Sequence, residues 1–146
     1  MKRTEKEKQR ERPMLDTADV FIIKAQKALK DNKHEDVKDL RDDVDKALCN
    51  MRDAIEGAYE SDEKIMVLPS LAWARTKSDA VRFYMDLFAE TGAITKGDSI
   101  ELQSMLDELK EEMTRIIKDV DPRFDKWREE YKEEFGERPE DIDKID

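Results

Sequence analysis

The side chains best suited to acid–base, metal or nucleophilic chemistry are scarce in this sequence. His34 is the only histidine and Cys49 the only cysteine in 146 residues. They are too few for a zinc site of the usual Cys and His ligands, for an intramolecular disulfide, or for a ferritin-like di-iron bundle with its two Glu-x-x-His motifs. Asp31 and His34 form one Asp-x-x-His pair that could bind a metal ion, but their polar surroundings favour a solvated turn. Cys49 follows Leu48 in the middle of a helical pattern, where core or half-buried packing explains it better than a reactive thiolate does.

Carboxylates are plentiful, because 38 residues are Asp or Glu. All-helical nucleotide pyrophosphohydrolases bind Mg²⁺ through a Glu-x-x-Glu on one helix and a Glu-x-x-Asp on the next. Those letters occur here as Glu108-x-x-Glu111 and Glu140-x-x-Asp143. A magnesium site needs inward-pointing carboxylates, whereas the first pair lies opposite an apolar stripe and the second lies in a polar tail. We therefore expect a protein without catalytic residues, cofactor or metal ion, and nucleotide hydrolysis is the weakest of three functional hypotheses.

A neutral stretch between residues 70 and 90 is better suited to binding than to catalysis. It contains five candidate contact residues: Trp73, Arg75, Lys77, Arg82 and Tyr84. Trp, Tyr and Arg dominate the energetics of protein interfaces, so a protein-docking surface is one hypothesis. The stretch could also be the recognition helix of a helix-turn-helix module, with its cations towards phosphate. In the third alternative Trp73 and Tyr84 belong to the core, and the cations extend to solvent.

Four large aromatic residues follow near the C-terminus at helical spacing: Phe124, Trp127, Tyr131 and Phe135. Each ring buries roughly 150–250 Å² when it is covered. Such a stripe packs against its own bundle or docks into a partner's groove. Both alternatives remain open, and in either case the spacing predicts an amphipathic C-terminal helix.

The N-terminal residues differ from the rest in the sign of their charge. Residues 1–12 contain three acidic residues and six basic ones, namely Lys2, Arg3, Lys6, Lys8, Arg10 and Arg12, whereas the whole chain has a net charge of -10. A basic arm of this kind, together with the cations of residues 70–90, favours the second functional hypothesis, a nucleic-acid-associated regulatory or packaging subunit. The acidic body itself is expected to repel nucleic acid and anionic lipid.

The elements that must position these residues are all helices. Apolar residues spaced by three and four predict a first helix from Asp16 or Thr17 to Lys30, ending at Asn32, and a second from His34 to Tyr59. Ser61, Asp62 and Glu63 could cap a short turn, and residues 65–68 are expected to form a buried connector before Pro69. A third helix should begin at Pro69 and close at Gly92.

A fourth helix is expected after Gly97, where Asp98 and Glu101 resemble a capping box, and it should end at Asp121 and Pro122. The domain organisation follows from these elements. Residues 1–13 form a polar charged arm, which is either frayed or a solvated helical extension, residues 14–136 form one helical-bundle domain, and residues 137–146 form an acidic tail.

The fold class is therefore all-α, a bundle of about four long antiparallel helices plus the C-terminal amphipathic helix. With no long apolar run and no signal-like h-region, the chain is expected to be soluble and cytoplasmic. The function that these features favour is a non-enzymatic protein-interaction or assembly protein that binds another protein, itself, or both. Virus-encoded assembly factors, inhibitors and adaptor subunits are analogies of this kind.

Overall fold

A computed structural model describes residues 2–120 of the chain. It contains five helices: α1 (Glu5–Gln9), α2 (Arg12–Leu29), α3 (Glu35–Glu60), α4 (Lys64–Glu90) and α5 (Lys96–Val120). The predicted C-terminal helix and acidic tail lie outside the described residues. None of the helices in residues 2–120 combines the length and apolar composition needed to cross a bilayer.

The four long helices form an up-and-down bundle around one core. Consecutive helices pack against each other, and α2 also packs against α5, so each long helix contacts two neighbours. The all-α bundle predicted from the sequence is confirmed. The core face of α3 matches the predicted spacing, because Val44, Leu48, Met51 and Ile55 are fully buried. That burial, rather than helix propensity, stabilises such amphipathic helices.

Two helices begin earlier than the sequence predicts. α2 begins at Arg12 instead of near Asp16, because Pro13 suits a first helical turn and Met14 is buried on the core face. α4 begins at Lys64, so residues 65–68 are part of this helix and the expectation of a buried connector there is wrong. Pro69 lies inside the helix. The burial of Val67, one turn before Leu71 on the same face, offsets the hydrogen bond that proline cannot donate.

The turns between the helices use different residues from those predicted. Asp31, rather than Asn32, adopts the left-handed conformation after α2, with φ of 56°. The amide nitrogen of Asn32 instead donates to the carbonyl of Ala93, 2.7 Å away, and ties the two turns at this end of the bundle together. At the start of α5 the hydroxyl of Thr95, not the side chain of Asp98, provides the cap, since it accepts a hydrogen bond from the Asp98 N–H at 3.0 Å.

The N-terminal segment is packed against the turn between α3 and α4. The side chain of Arg3 is buried, and its Nη1 donates to the carbonyls of Ala58 at 2.7 Å and Ser61 at 2.9 Å. Its backbone N–H donates to the carbonyl of Asp62 at 2.6 Å. The last carbonyls of a helix have no partner within that helix and carry partial negative charge, so the guanidinium caps α3. The expectation of a frayed or solvated arm therefore fails at this position.

Arg3 also forms a buried ion pair with Glu11, which directly precedes α2. Only 7% of Arg3 and 5% of Glu11 are exposed. Burial raises the pKa of the Glu11 carboxyl, the charge and hydrogen bond of Arg3 oppose part of that rise, and the charge of Glu7 adds to it. The first residues are thus held by buried electrostatic contacts between the start of α2 and the end of α3.

Two glycines provide a matched test of the backbone conformation. Gly92 has φ of +80° after α4, and Gly57 lies within α3; a Cβ at either position meets no atom within 4 Å. We expect Gly57→Ala to raise the free energy of unfolding by about 0.5–1 kcal/mol, since alanine favours helix. Gly92→Ala should lower it by about 1–2 kcal/mol, since a left-handed alanine is strained. Denaturant titration of both variants measures these changes, and equal signs would contradict the assignment of these conformations.

The raised pKa of Glu11 predicts a pH effect of defined sign. The folded chain retains the Glu11 proton to a higher pH than the unfolded chain does, so ionisation of Glu11 lowers stability as the pH rises above its unfolded value. We expect the free energy of unfolding of the natural chain, minus that of Glu11→Gln, to fall between about pH 4 and pH 7, by about 1.4 kcal/mol for each unit of pKa rise. Urea titrations across this range measure the difference. An increase with pH would mean that the attraction of Arg3 outweighs burial.

Candidate functional site

The outward faces of the four long helices differ in polarity. The exposed positions of α3 include no large apolar side chain, and among the described side chains of α5 the one exposed large apolar residue is Ile100. α2 exposes Val20 and Ile23 among charged residues. α4 is different, because Met66, Pro69, Trp73 and Phe83 are four of the six exposed residues among its described side chains.

These exposed residues belong to an uncharged stripe on α4 that is apolar except at Thr76, and its members are spaced alternately by three and four residues. We call it the α4 outer stripe, and its members are Met66, Pro69, Trp73, Thr76, Ala80, Phe83 and Leu87. Thr76, Ala80 and Leu87 are half-buried, and the stripe lies opposite the core face that contains Ser78 and Met85. Its three largest side chains are 54% exposed at Met66, 56% at Trp73 and 64% at Phe83. Apolar side chains in an unbroken row on one helix are typical of a docking surface.

Trp73 and Lys77 form a local pair on this surface. The Lys77 ammonium lies 4.4 Å from the centre of the Trp73 ring, within the range of a cation–π interaction. One ring face of Trp73 is thus covered, while more than half of the residue remains exposed. A contact of this kind favours one orientation of the ring, and a side chain that is already oriented loses less conformational entropy when a partner binds.

Arg75 and Arg82 do not share this surface with Trp73. Arg75 is 1% exposed and lines a cleft of about 670 Å³, together with α5 residues Asp107, Lys110, Glu111, Thr114, Arg115, Lys118 and Asp119. Arg82 pairs with Asp107 at 2.6 Å and also bonds to Gln103, whose amide donates to Asp86. Both arginines therefore face α5. Arg75, Lys77 and Arg82 do not form the single cationic face that a recognition helix needs.

Tyr84 is half-buried and joins the core to the surface. Its ring centre lies 5.8 Å from that of exposed Phe83 in an edge-to-face arrangement, and 6.5 Å from that of buried Phe88. These separations are typical of attractive aromatic pairs. Tyr84 thus packs against the exposed Phe83 on its inner side. The four aromatic residues from Phe124 to Phe135 lie outside the described residues.

Trp73 is the one member of the stripe that the sequence predicted as a contact residue; the other six were not predicted, among them the exposed side chains of Met66 and Phe83. The sequence places Met66 in a buried connector, and Phe83 stands between Arg82 and Tyr84 without being one of the predicted contact residues. The spacing of seven residues from Met66 to Trp73 is a signal that could have revealed the first. Phe83 follows ten residues after Trp73, close to three helical turns, and so lies on the same face.

The residues that the sequence offered for catalysis or metal binding lie in a helix cap or on exposed helix faces. The Nδ1 atom of His34 accepts a hydrogen bond from the Asp36 N–H at 3.2 Å and caps the start of α3. Cys49 is exposed, so the expectation that it packs in or near the core is wrong. Glu108 and Glu111 are both exposed on α5. Within residues 2–120, no three His, Cys, Asp or Glu side chains are grouped so as to hold a metal ion.

The basic residues at the N-terminus are divided between internal contacts and solvent. Arg3 pairs with Glu11, Lys8 pairs with Asp62, and Arg12 lies 5.7 Å from the ring centre of Tyr59 and also pairs with Asp16. The other three basic residues of the segment are exposed, namely Lys2, Lys6 and Arg10. Half of the cations proposed to contact nucleic acid thus have acidic or aromatic partners within the chain.

Comparison with known protein families, with curated proteins and with solved structures gives no match for this chain.

The exposure of the stripe predicts that its aromatic residues contribute little to folding. We expect Trp73→Ser and Phe83→Ser each to change the free energy of unfolding by less than about 1 kcal/mol, because these surface positions are not part of the core. Phe88→Ala, on the buried side of the same helix, should lower it by about 3–5 kcal/mol. Urea titrations at low micromolar concentration compare the three variants. A loss above 2 kcal/mol for Trp73→Ser would place this ring in the core instead.

Proposed function

We propose that this chain is a non-enzymatic interaction protein that binds another protein, or a further copy of itself, through the α4 outer stripe. It acts as an adaptor, an inhibitor or a structural subunit, and catalysis is not part of its role. The observation that carries the proposal is the unequal polarity of the outward faces. α4 exposes Met66, Trp73 and Phe83 in one row, whereas the outward faces of α3 and α5 are almost entirely polar.

The energetics of such a surface support association. Full burial of one large apolar side chain is worth roughly 1.5–3 kcal/mol relative to its exposure. Three of them in one row contribute about 4.5–9 kcal/mol when fully buried, which is of the same order as the entropic cost of association. Trp73 is the natural centre of the interface, because aromatic side chains in the middle of a patch dominate binding and Lys77 already orients its ring.

The charge distribution favours a protein partner over nucleic acid. The chain has a net charge of -10, and the stripe itself contains no charged residue. A phosphate backbone is bound through several accessible cations in one surface, and the cations of α4 face in different directions. A cytoplasmic location fits the proposal, since Cys49 is an exposed thiol and the sequence has no second cysteine to pair with it.

Site-specific photo-crosslinking in cells that produce the chain tests this proposal. A photoreactive phenylalanine analogue is placed at Met66 or Phe83, and at two matched control positions on other helices. Ile23 on α2 and Ile100 on α5 are suitable controls, because they are 67% and 62% exposed. We expect covalent protein adducts from the two α4 positions, at yields several-fold above those from the controls.

The adducts should also depend on the centre of the stripe. Trp73→Ser should reduce crosslinking from Phe83 at least tenfold, since it removes the main apolar contact, while Ile100→Ser should leave it unchanged. Adducts that form equally from all four positions, or from none, would overturn the proposal. Mass spectrometry of the adducts separates a further copy of the chain from a different protein.

A further inference from the structure

We propose that the partner of the α4 outer stripe is a second copy of this chain, packed with the two α4 helices antiparallel about a two-fold axis that passes between Ala74 and Arg75. This inference rests on the proposed function, because it names the occupant of the same stripe. The proposed dimer has one register, and that register determines which side chains of the two copies lie opposite each other.

The stripe has the periodicity that two helices need in order to pack along their length. Its members alternate by three and four residues from Met66 to Leu87, a distance of about 32 Å along the helix. This alternation is the heptad seam of helix pairs. None of the seven residues is charged. The hydroxyl of Thr76 already donates to the Ala72 carbonyl at 3.2 Å, so its burial leaves no unpaired donor.

A parallel pair of α4 helices would place like residues opposite each other. Trp73 would meet Trp73 and Phe83 would meet Phe83, while Ala80 met Ala80. Large layers would then hold the helices apart at positions 73 and 83 and leave a gap at position 80. Close packing fills such gaps poorly, and each void loses contact energy.

An antiparallel pair has two registers that each bring six of the seven stripe residues together; the first leaves Met66 without an opposite stripe residue, and the second leaves Leu87 without one. In one register, Thr76 lies opposite Ala80 of the second copy. That register brings Lys77 beside Lys77 of the second copy and Asp79 beside its counterpart, close to the two-fold axis. Like charges facing each other destabilise helix pairs, so this register is disfavoured.

In the other register, large residues meet small ones near the axis. Trp73 lies opposite Thr76 of the second copy, and the two-fold axis repeats this contact. Pro69 lies opposite Ala80, and Met66 meets Phe83 at each end. The indole thus fills the space above a small residue, as close packing between helices requires.

The charged residues beside the stripe agree with this register. Lys77 lies opposite Ser70 of the second copy, and Asp79 lies opposite Ala72. No like charges face each other across the seam, in contrast to the alternative antiparallel register. Electrostatics therefore selects one register of the two, and the sizes of the side chains select the antiparallel direction.

The area of the stripe sets the strength of the dimer. Its exposed apolar side chains bury roughly 400–600 Å² per copy, about 800–1,200 Å² in total, on the usual areas of such side chains. That is the lower limit for a specific protein interface. We therefore expect a reversible dimer with a dissociation constant on the order of 10–100 μM.

Engineered disulfides test the register directly. In a Cys49→Ser background, which removes the native thiol, the variant Pro69→Cys/Ala80→Cys should form covalent dimers under mild oxidation, since these positions face each other. Each single variant should remain monomeric on a non-reducing gel, because identical positions lie about 16 Å apart along the seam. Efficient dimers from Ala80→Cys alone would indicate a parallel pair or the other antiparallel register, and would overturn the proposal.

Sedimentation equilibrium between 5 μM and 1 mM gives the second test. We expect Trp73→Ser to weaken the dimer at least tenfold. Thr76→Trp, although it adds apolar surface, should also weaken it at least tenfold, because two indoles then occupy the space of one. Ile100→Ser should leave the dissociation constant unchanged, and circular dichroism verifies that each variant is folded.

The two proposals fail separately. A natural chain that is monomeric at 1 mM overturns the second copy as partner. Photo-crosslinked adducts with a different protein at Phe83 would still support the proposed function in that case. Stronger association of Thr76→Trp would overturn the register and indicate a non-specific apolar contact.

Discussion

Four helices closed around one core leave each helix with a face that no other helix of the ring can cover. Each long helix here packs against two neighbouring helices, so one side of it faces outward. Polar or charged residues are usual on such a face, because an apolar side chain there stays in contact with water and gains nothing from burial. On α3 and α5 the chain follows this rule. On α4 the chain departs from this rule. The inner side of α4 buries Met85 in the core, whereas Trp73 lies on the outer side and is exposed.

The high charge of the chain has internal as well as solvent-facing roles. Arg3 and Glu11 are buried as a pair, and the Arg3 guanidinium caps the carbonyl end of α3. Removing two charges from water is costly, and their attraction compensates only when further hydrogen bonds are present. Burial raises the pKa of the Glu11 carboxyl, and the charge and hydrogen bond of Arg3 oppose only part of that rise.

Local spacing predicted the helices and their core faces, since the apolar residues that define each face lie three or four positions apart in the sequence. It did not predict the start of α4, because Pro69 is a local start signal and the burial of Val67 depends on distant helices. The burial of Arg3 was beyond prediction for the same reason, since its carbonyl partners are 55 and 58 residues away. The separation of Trp73 from Arg75, by contrast, follows from about 200° of helical rotation and was within reach of the sequence.

The contact between Arg3 and the end of α3 has a consequence for the order of synthesis. A ribosome must add 55 to 58 residues after Arg3 before the carbonyls of Ala58 and Ser61 exist. At ordinary elongation rates this takes roughly 3–12 s, much longer than a helix needs to form. The Arg3 guanidinium therefore cannot cap α3 until that helix and the turn after it have been synthesised, so residues 2–11 exist for seconds before the carbonyls that hold them.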